Sequence, residues 1–120
     1  MSVSKYRELD VWKAARVLAR NIYNTTRTYP TDERFGIVSQ MRRAAISILS
    51  NIAEASGRWS TADQKHFYVI ARGSALELEA QLVISEDLQF ISSEIAAELN
   101  ADTVRVAQML NGLMRFLKKS

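Results

Sequence analysis

One histidine, no cysteine and a single Asp63-x-x-His66 spacing are all that this sequence offers toward a metal ion or a general base. A dinuclear carboxylate bundle needs two such carboxylate-x-x-His pairs and two further carboxylates on facing helices. A nucleophile–base constellation needs a histidine placed beside a hydroxyl or thiol and oriented by a third group. Gly57 and Gly73 stand alone, so no glycine-rich loop is available to cradle a phosphate. The expectation is a protein with no catalytic residue, no metal site and no cofactor.

The residues that can do chemistry are charges and hydroxyls in helical register. In "SQMRRAAISILSNIAEASGR", Ser39 to Arg58, Met41, Ala45, Ile48 and Ile52 fall on one face at about 100° per residue. Arg43, Ser47, Ser50 and Glu54 lie nearly opposite, with the same +4, +3, +4 spacing. A solvent face would favour Lys, Glu and Gln, whereas small hydroxyls amid alanines suit the close approach of another backbone. Ile46 on the flank of that stripe argues the same way. Asn51 and Glu54 then need partners, because a buried amide or carboxylate left alone is costly.

A second stretch, "IARGSALELEAQ", matches the first. Gly73 sits in mid-helix at a cost of about 1 kcal/mol relative to alanine, a cost usually tolerated for close approach. Arg72, Ser74 and Glu77 surround it. Arg43, Ser47, Ser50, Asn51, Glu54, Arg72, Gly73, Ser74 and Glu77 are therefore expected to form polar clamps within a bundle or an assembly surface between subunits. A solvated charge face is the alternative.

The cations are unevenly placed. The net charge is +3, but residues 1–60 hold ten Lys/Arg against five Asp/Glu, and residues 61–120 hold six against eight. Such polarity presents a basic surface to phosphate or pairs the two halves with each other. Arg7, Lys13, Arg16, Arg20, Arg42, Arg43 and Arg58 are the candidate nucleic-acid contacts, RNA or DNA. Their binding would be largely sequence-independent and sensitive to salt. Trp12 reads as a core or interface residue of the first helix. Trp59, beside Arg58, suits a subunit contact or a nucleic-acid base. The competing function is a protein-interaction scaffold whose partner is another protein.

The elements that position these residues read as helices. With 120 residues, one proline and four glycines, the chain is expected to be one domain, 1–120, of long helices. Boundaries fall at about 7–28, 33–56, 61–89 and 93–118. Leu9, Val11, Ala15, Leu18 and Ile22 mark the first buried face, and Pro30 breaks the run. Thr31 or Asp32 is expected to cap the second helix and Gly57 to close it as its C′ residue. Ser60 or Thr61 caps the third, which carries two seams, Val69-Leu76-Val83-Phe90 and Ala71-Ala75-Leu78-Leu82. Two seams predict two packed neighbours.

Ser92 or Ser93 caps the last helix. Its inner face is expected to hold Ile95, Leu99, Val106, Leu110, Leu113 and Phe116 or Leu117, with a notch near Asn100 or Asp102. Short connections make sequential helices antiparallel, so the fold class is all-α, an up-down-up-down four-helix bundle. The lack of cysteine, of a long apolar run and of an apolar leader points to a cytoplasmic protein without membrane contact.

Three blocks, "ELDVWKAA", "FGIVSQMRRAAISILSNIAEASGR" and "ARGSALELEAQL", resemble the signature segments of the four-helix-bundle proteins encoded by intervening sequences in bacterial 23S ribosomal RNA genes. The similarity runs from about Tyr6 to Leu117, with the blocks in the family's order. The family usually reads Ser-Ile-Pro-Ser where this chain has Ser47-Ile48-Leu49-Ser50, and Ala-Glu-Gly where it has Ala53-Glu54-Ala55. Leu49 should leave the second helix straighter than proline would. The resemblance implies a small cytosolic bundle that assembles into a ring, typically a homopentamer, with no established enzymatic activity. Related accessory proteins of diversity-generating retroelements form similar basic pentamers that engage nucleic acid and a reverse transcriptase.

Overall fold

The computed structural model describes residues 5–119, with side chains as far as Leu117. Four helices dominate it: α1 (Asp10–Thr26), α2 (Ser39–Ser56), α3 (Thr61–Asp87) and α4 (Ser93–Lys119). Contacts that ascend α2 descend α3, from Met41 beside Ser85 through Arg43 beside Glu77 to Ser47 beside Ser74, so these two helices are antiparallel. Arg42 near the start of α2 reaches Thr26 at the end of α1, which gives the same relation there. α3 and α4 are 27 residues each, about 40 Å at 1.5 Å per residue, joined by a short turn. A molecule measuring 45 × 21 × 20 Å leaves α4 no course but back along α3. The chain is thus an all-α four-helix bundle, with α1 and α3 each lying between α2 and α4.

Local chemistry explains most boundaries. Ser60 Oγ accepts a hydrogen bond from the Asp63 N–H at 3.1 Å, and Ser92 Oγ accepts one from Ile95 at 3.1 Å, each satisfying an orphan donor of a first turn. α1 starts at Asp10 rather than Arg7, because Lys5–Glu8 form a separate 3-10 turn and Leu9 is extended. The second helix does not run from residue 33. A 3-10 turn (Thr31–Glu33) and a wide turn (Arg34–Val38) precede α2, and the path breaks at Gly36, where ψ is −117°. Neither Thr31 nor Asp32 caps α2.

Gly57 is the C-cap of α2 but not a left-handed one: its φ is −89°. The left-handed position falls instead on Gln89, with φ of 62°. There the Phe90 N–H donates to Ser85 O and the Gln89 N–H to Glu86 O, both at 2.9 Å, the paired bonds of a Schellman closure. Phe90 then docks on Tyr29, ring centroids 5.2 Å apart. Because a side chain at positive φ is strained, Gln89→Gly is expected to stabilise the fold by about 0.5–1 kcal/mol, read as a rise in the thermal midpoint.

The core is filled by Leu18 and Ile22 of α1, Met41, Ile48 and Ile52 of α2, Leu78 and Leu82 of α3, and Val106 and Leu110 of α4. Only one seam of α3 takes part. Ala71, Ala75, Leu78 and Leu82 are buried, whereas Val69, Leu76 and Val83 are exposed and Phe90 is partly buried. The alanines let α2 and α4 both close on one narrow stripe, so a single seam serves two neighbours. On α4, Leu99, Val106 and Leu110 are buried as expected, Leu113 and Leu117 partly so, and Ile95 and Phe116 point outward. α4 is continuous through Asn100 and Asp102, where Thr103 Oγ1 bonds back to Leu99 O at 2.7 Å.

Candidate functional site

The hydroxyl stripe of α2 closes part of the α2–α3 seam. Ser74 Oγ donates to Ser47 Oγ at 2.8 Å, and Asn51 Nδ2 donates to Ser47 O and Oγ at 2.8 and 3.1 Å. Ser74 is buried, so this contact answers the need for a partner. One helix over, Arg72 Nη1 donates to Asn111 Oδ1 of α4 at 2.9 Å. Arg43 lies 3.9 Å from Glu77 but both side chains are mostly exposed, a geometry that contributes little in water. Glu54 does not cross to another helix; it pairs with Arg58 one turn on.

Two members of the expected clamp stand apart. Ser50 is exposed, and Gly73 is exposed with nothing within 4 Å of where a Cβ would sit. Within this chain, then, no described neighbour approaches Gly73, and its helix-weakening effect goes unused. Gly73→Ala is expected to raise the stability of the isolated subunit by about 0.5–1 kcal/mol, measured as the midpoint of urea unfolding.

The seven candidate cations separate by neighbour. Arg42 is committed to the fold: its Nε donates to Thr26 Oγ1 at 3.0 Å, its Nη2 to Tyr23 O at 3.3 Å, and its guanidinium lies 4.6 Å from the Tyr23 ring centroid. Arg43 faces Glu77, and Arg58 faces Glu54 with the Phe67 ring 4.6 Å away. Lys13 lines an α1–α4 depression with Asp10, Asp102 and Arg105, where two cations meet two carboxylates. Arg7 is exposed on the turn before α1. Arg16 and Arg20 remain exposed on α1, and among the described residues the only partner of Arg16 is the Trp12 ring at 5.5 Å.

Sequence reasoning missed Arg27. It lies 11 residues after Arg16 and 7 after Arg20, which keeps the C-cap residue of α1 on the face that carries the other two, and its Nη1 donates to Asn24 Oδ1 at 3.1 Å. That spacing is the signal that could have found it; its place near the expected helix end at residue 28 obscured the pattern. Arg16, Arg20 and Arg27 line one groove with Ala19, Tyr23 and Asn24 of α1 and Ile46 and Leu49 of α2, a space of about 470 Å³. No carboxylate lines this groove. Among the described residues only two ion pairs form, and neither uses these three arginines.

Burial pushes the Tyr29 and Tyr68 phenols above their ordinary value, and neither lines the arginine groove. Trp12 packs against the core edge, while Trp59 is fully exposed in the α2–α3 turn. Among the described residues no three His, Asp or Glu side chains gather at a common point, and no helix is long and apolar enough to cross a membrane.

Comparison with known proteins gives matches among solved structures and to one sequence family. The chain is similar to the crystal structure, at 1.70 Å resolution, of a protein of unknown function from the S23 ribosomal protein family of Bacteroides thetaiotaomicron. The two share 25% identity and a TM-score of 0.79, over 87% of this chain and 97% of that one. No curated protein matches. The sequence model of the 23S rRNA-intervening sequence proteins matches residues 7–112. With that match spanning α1, α2, α3 and most of α4, the chain belongs to the 23S rRNA-intervening sequence protein family.

Proposed function

We propose that this protein is a non-catalytic, homo-oligomeric bundle that associates with nucleic acid, RNA in the first instance, through an arginine surface repeated around the assembly. The observation that carries this reading is the row Arg16, Arg20 and Arg27, exposed and without carboxylate partners among the described residues. Three unneutralised guanidinium groups on one helical face repel one another unless an anion lies over them, and phosphate accepts their paired N–H donors well. Oligomerisation multiplies that field. In the ring of five that the sequence resemblance implies, each subunit contributes its net +3.

Support for assembly comes from α3. Val69, Leu76 and Val83 repeat every seven residues on its outer face, all exposed, with Gly73 and Ala80 between them. Ile70 and Ile84 widen the patch. Small residues alternating with branched ones suit close packing against a helix of another subunit. The same patch favours the second reading, a scaffold whose partner is a different protein.

Light scattering at low and high salt, paired with a salt titration of binding to fluorescent RNA, tests the proposal. The expected result is a multiple of 13.6 kDa at both salts. RNA affinity should fall on a log–log slope of about −0.7 to −0.9 per phosphate neutralised. A monomer that binds no RNA at low salt would remove it. A stable oligomer that binds no RNA would leave the scaffold reading in its place.

A further inference from the structure

The arginine groove holds more than a phosphate surface requires. Its floor is apolar: Ile46 is 42% exposed, and Leu49 and Ala19 lie beside it. Tyr23 supplies an aromatic wall that is held in place, because Arg42 sits over the ring at 4.6 Å and is itself anchored to Thr26 and to the Tyr23 carbonyl. A duplex keeps its base faces stacked inside and offers only phosphates and base edges, so it would leave Ile46 wet. A single strand carries unstacked bases able to cover apolar and aromatic side chains while its phosphates follow a row of cations.

The dimensions agree. Arg16 and Arg20 are one helical turn apart, about 6 Å along α1, and Arg27 lies roughly 10 Å further on, a spacing that an extended strand can follow. The space of about 470 Å³ is open to solvent along its length, as a passing strand requires. The floor residues Ala19, Ile46 and Leu49 carry no side-chain donor or acceptor to read a base edge, and the Oδ1 of Asn24 at the rim accepts from Arg27. The α1–α4 depression lacks this combination, because Asp10 and Asp102 offset its cations.

We propose that the α1–α2 groove is a binding site for single-stranded nucleic acid, with a base seated on Ile46 and Leu49 against Tyr23 and the flanking phosphates on Arg16, Arg20 and Arg27. This rests on the nucleic-acid reading above and specifies its ligand. Binding is largely indifferent to base identity, and a duplex of equal length binds more weakly despite its higher charge density.

The test uses the full chain in its native assembly, with fluorescein-labelled oligouridylate, oligothymidylate and an RNA duplex of the same length, read by fluorescence anisotropy. The wild type is expected to bind both single strands at least about tenfold more tightly than the duplex, and Ile46→Ser to lose about five- to tenfold on single strands alone. Ile46→Phe, which enlarges the floor, keeps the preference. Equal or tighter duplex binding by the wild type overturns the single-strand site while leaving the broader nucleic-acid reading intact. So does a change in the native mass of Ile46→Ser, which would make Ile46 a subunit contact. Failure of the wild type to bind any of the three probes at low salt overturns both.

Discussion

Leu76→Glu combined with Val83→Glu is expected to yield a folded, monomeric protein of about 13.6 kDa from an oligomeric parent. Leu76 and Val83 are 58% and 59% exposed in the single subunit, so their replacement removes little intramolecular packing. Substitutions at such surface sites usually change folding stability by no more than about 0.5 kcal/mol. At a subunit contact the balance reverses. Each introduced carboxylate must be dehydrated against an apolar face, and an unpaired buried charge costs several kcal/mol. Two per subunit raise the dissociation constant by many powers of ten, since each 1.4 kcal/mol is about tenfold. Light scattering reads the mass and circular dichroism the retained helix. An unchanged oligomer would show that α3 faces another partner. The monomeric variant is also the background in which the effect of Gly73→Ala on the subunit alone is measured.

Reversing Arg16 and Arg20 together to glutamate is expected to weaken RNA binding by about 100-fold near 0.1 M salt. The salt dependence should flatten by about one unit of slope for each phosphate no longer neutralised. The fold should survive, because Arg20 bonds to no other described residue and the one contact of Arg16 among them is its guanidinium over the Trp12 ring, 5.5 Å from the centroid. The pair therefore separates binding from folding in a way that Arg42 cannot. Replacing Arg42 removes the half-buried link between α1 and α2 and would cost stability along with any affinity. Binding that is unchanged in the Arg16/Arg20 double variant, with the helix signal intact, would take the α1 row out of the interface. These two measurements are independent: one dissolves the assembly, and the other empties the site while the assembly persists.

Features decided within one turn of helix are legible in the residue order itself. Ser60 and Ser92 cap where a hydroxyl precedes an amphipathic run, because the bond is made to a backbone N–H only three residues away. The buried faces Val11-Ala15-Leu18-Ile22 and Met41-Ala45-Ile48-Ile52 follow from residue spacing alone. The closure of α3 is less accessible. Glycine is the usual left-handed residue, yet Gln89 takes that role while Gly57 does not, because docking Phe90 onto Tyr29 favours a conformation that local preference opposes.

The candidate site is legible as a set of residue types and not as a place. Arg42 and Arg43 are adjacent in sequence, but about 100° of helical rotation sends the first to α1 and the second toward α3. One becomes part of the fold and the other a weak surface pair. Periodicity likewise marks two seams on α3, and packing chooses one: Ala71 and Ala75 admit both neighbours, leaving Val69, Leu76 and Val83 outside. The sequence by itself determined four helices, a pair of candidate hydroxyls to cap each of α3 and α4, and an excess of cations in the first half. Only the tertiary structure decided which arginines keep no carboxylate partner and which apolar residues stay in water, because helical spacing orders side chains around one axis while long-range packing selects what stands opposite them.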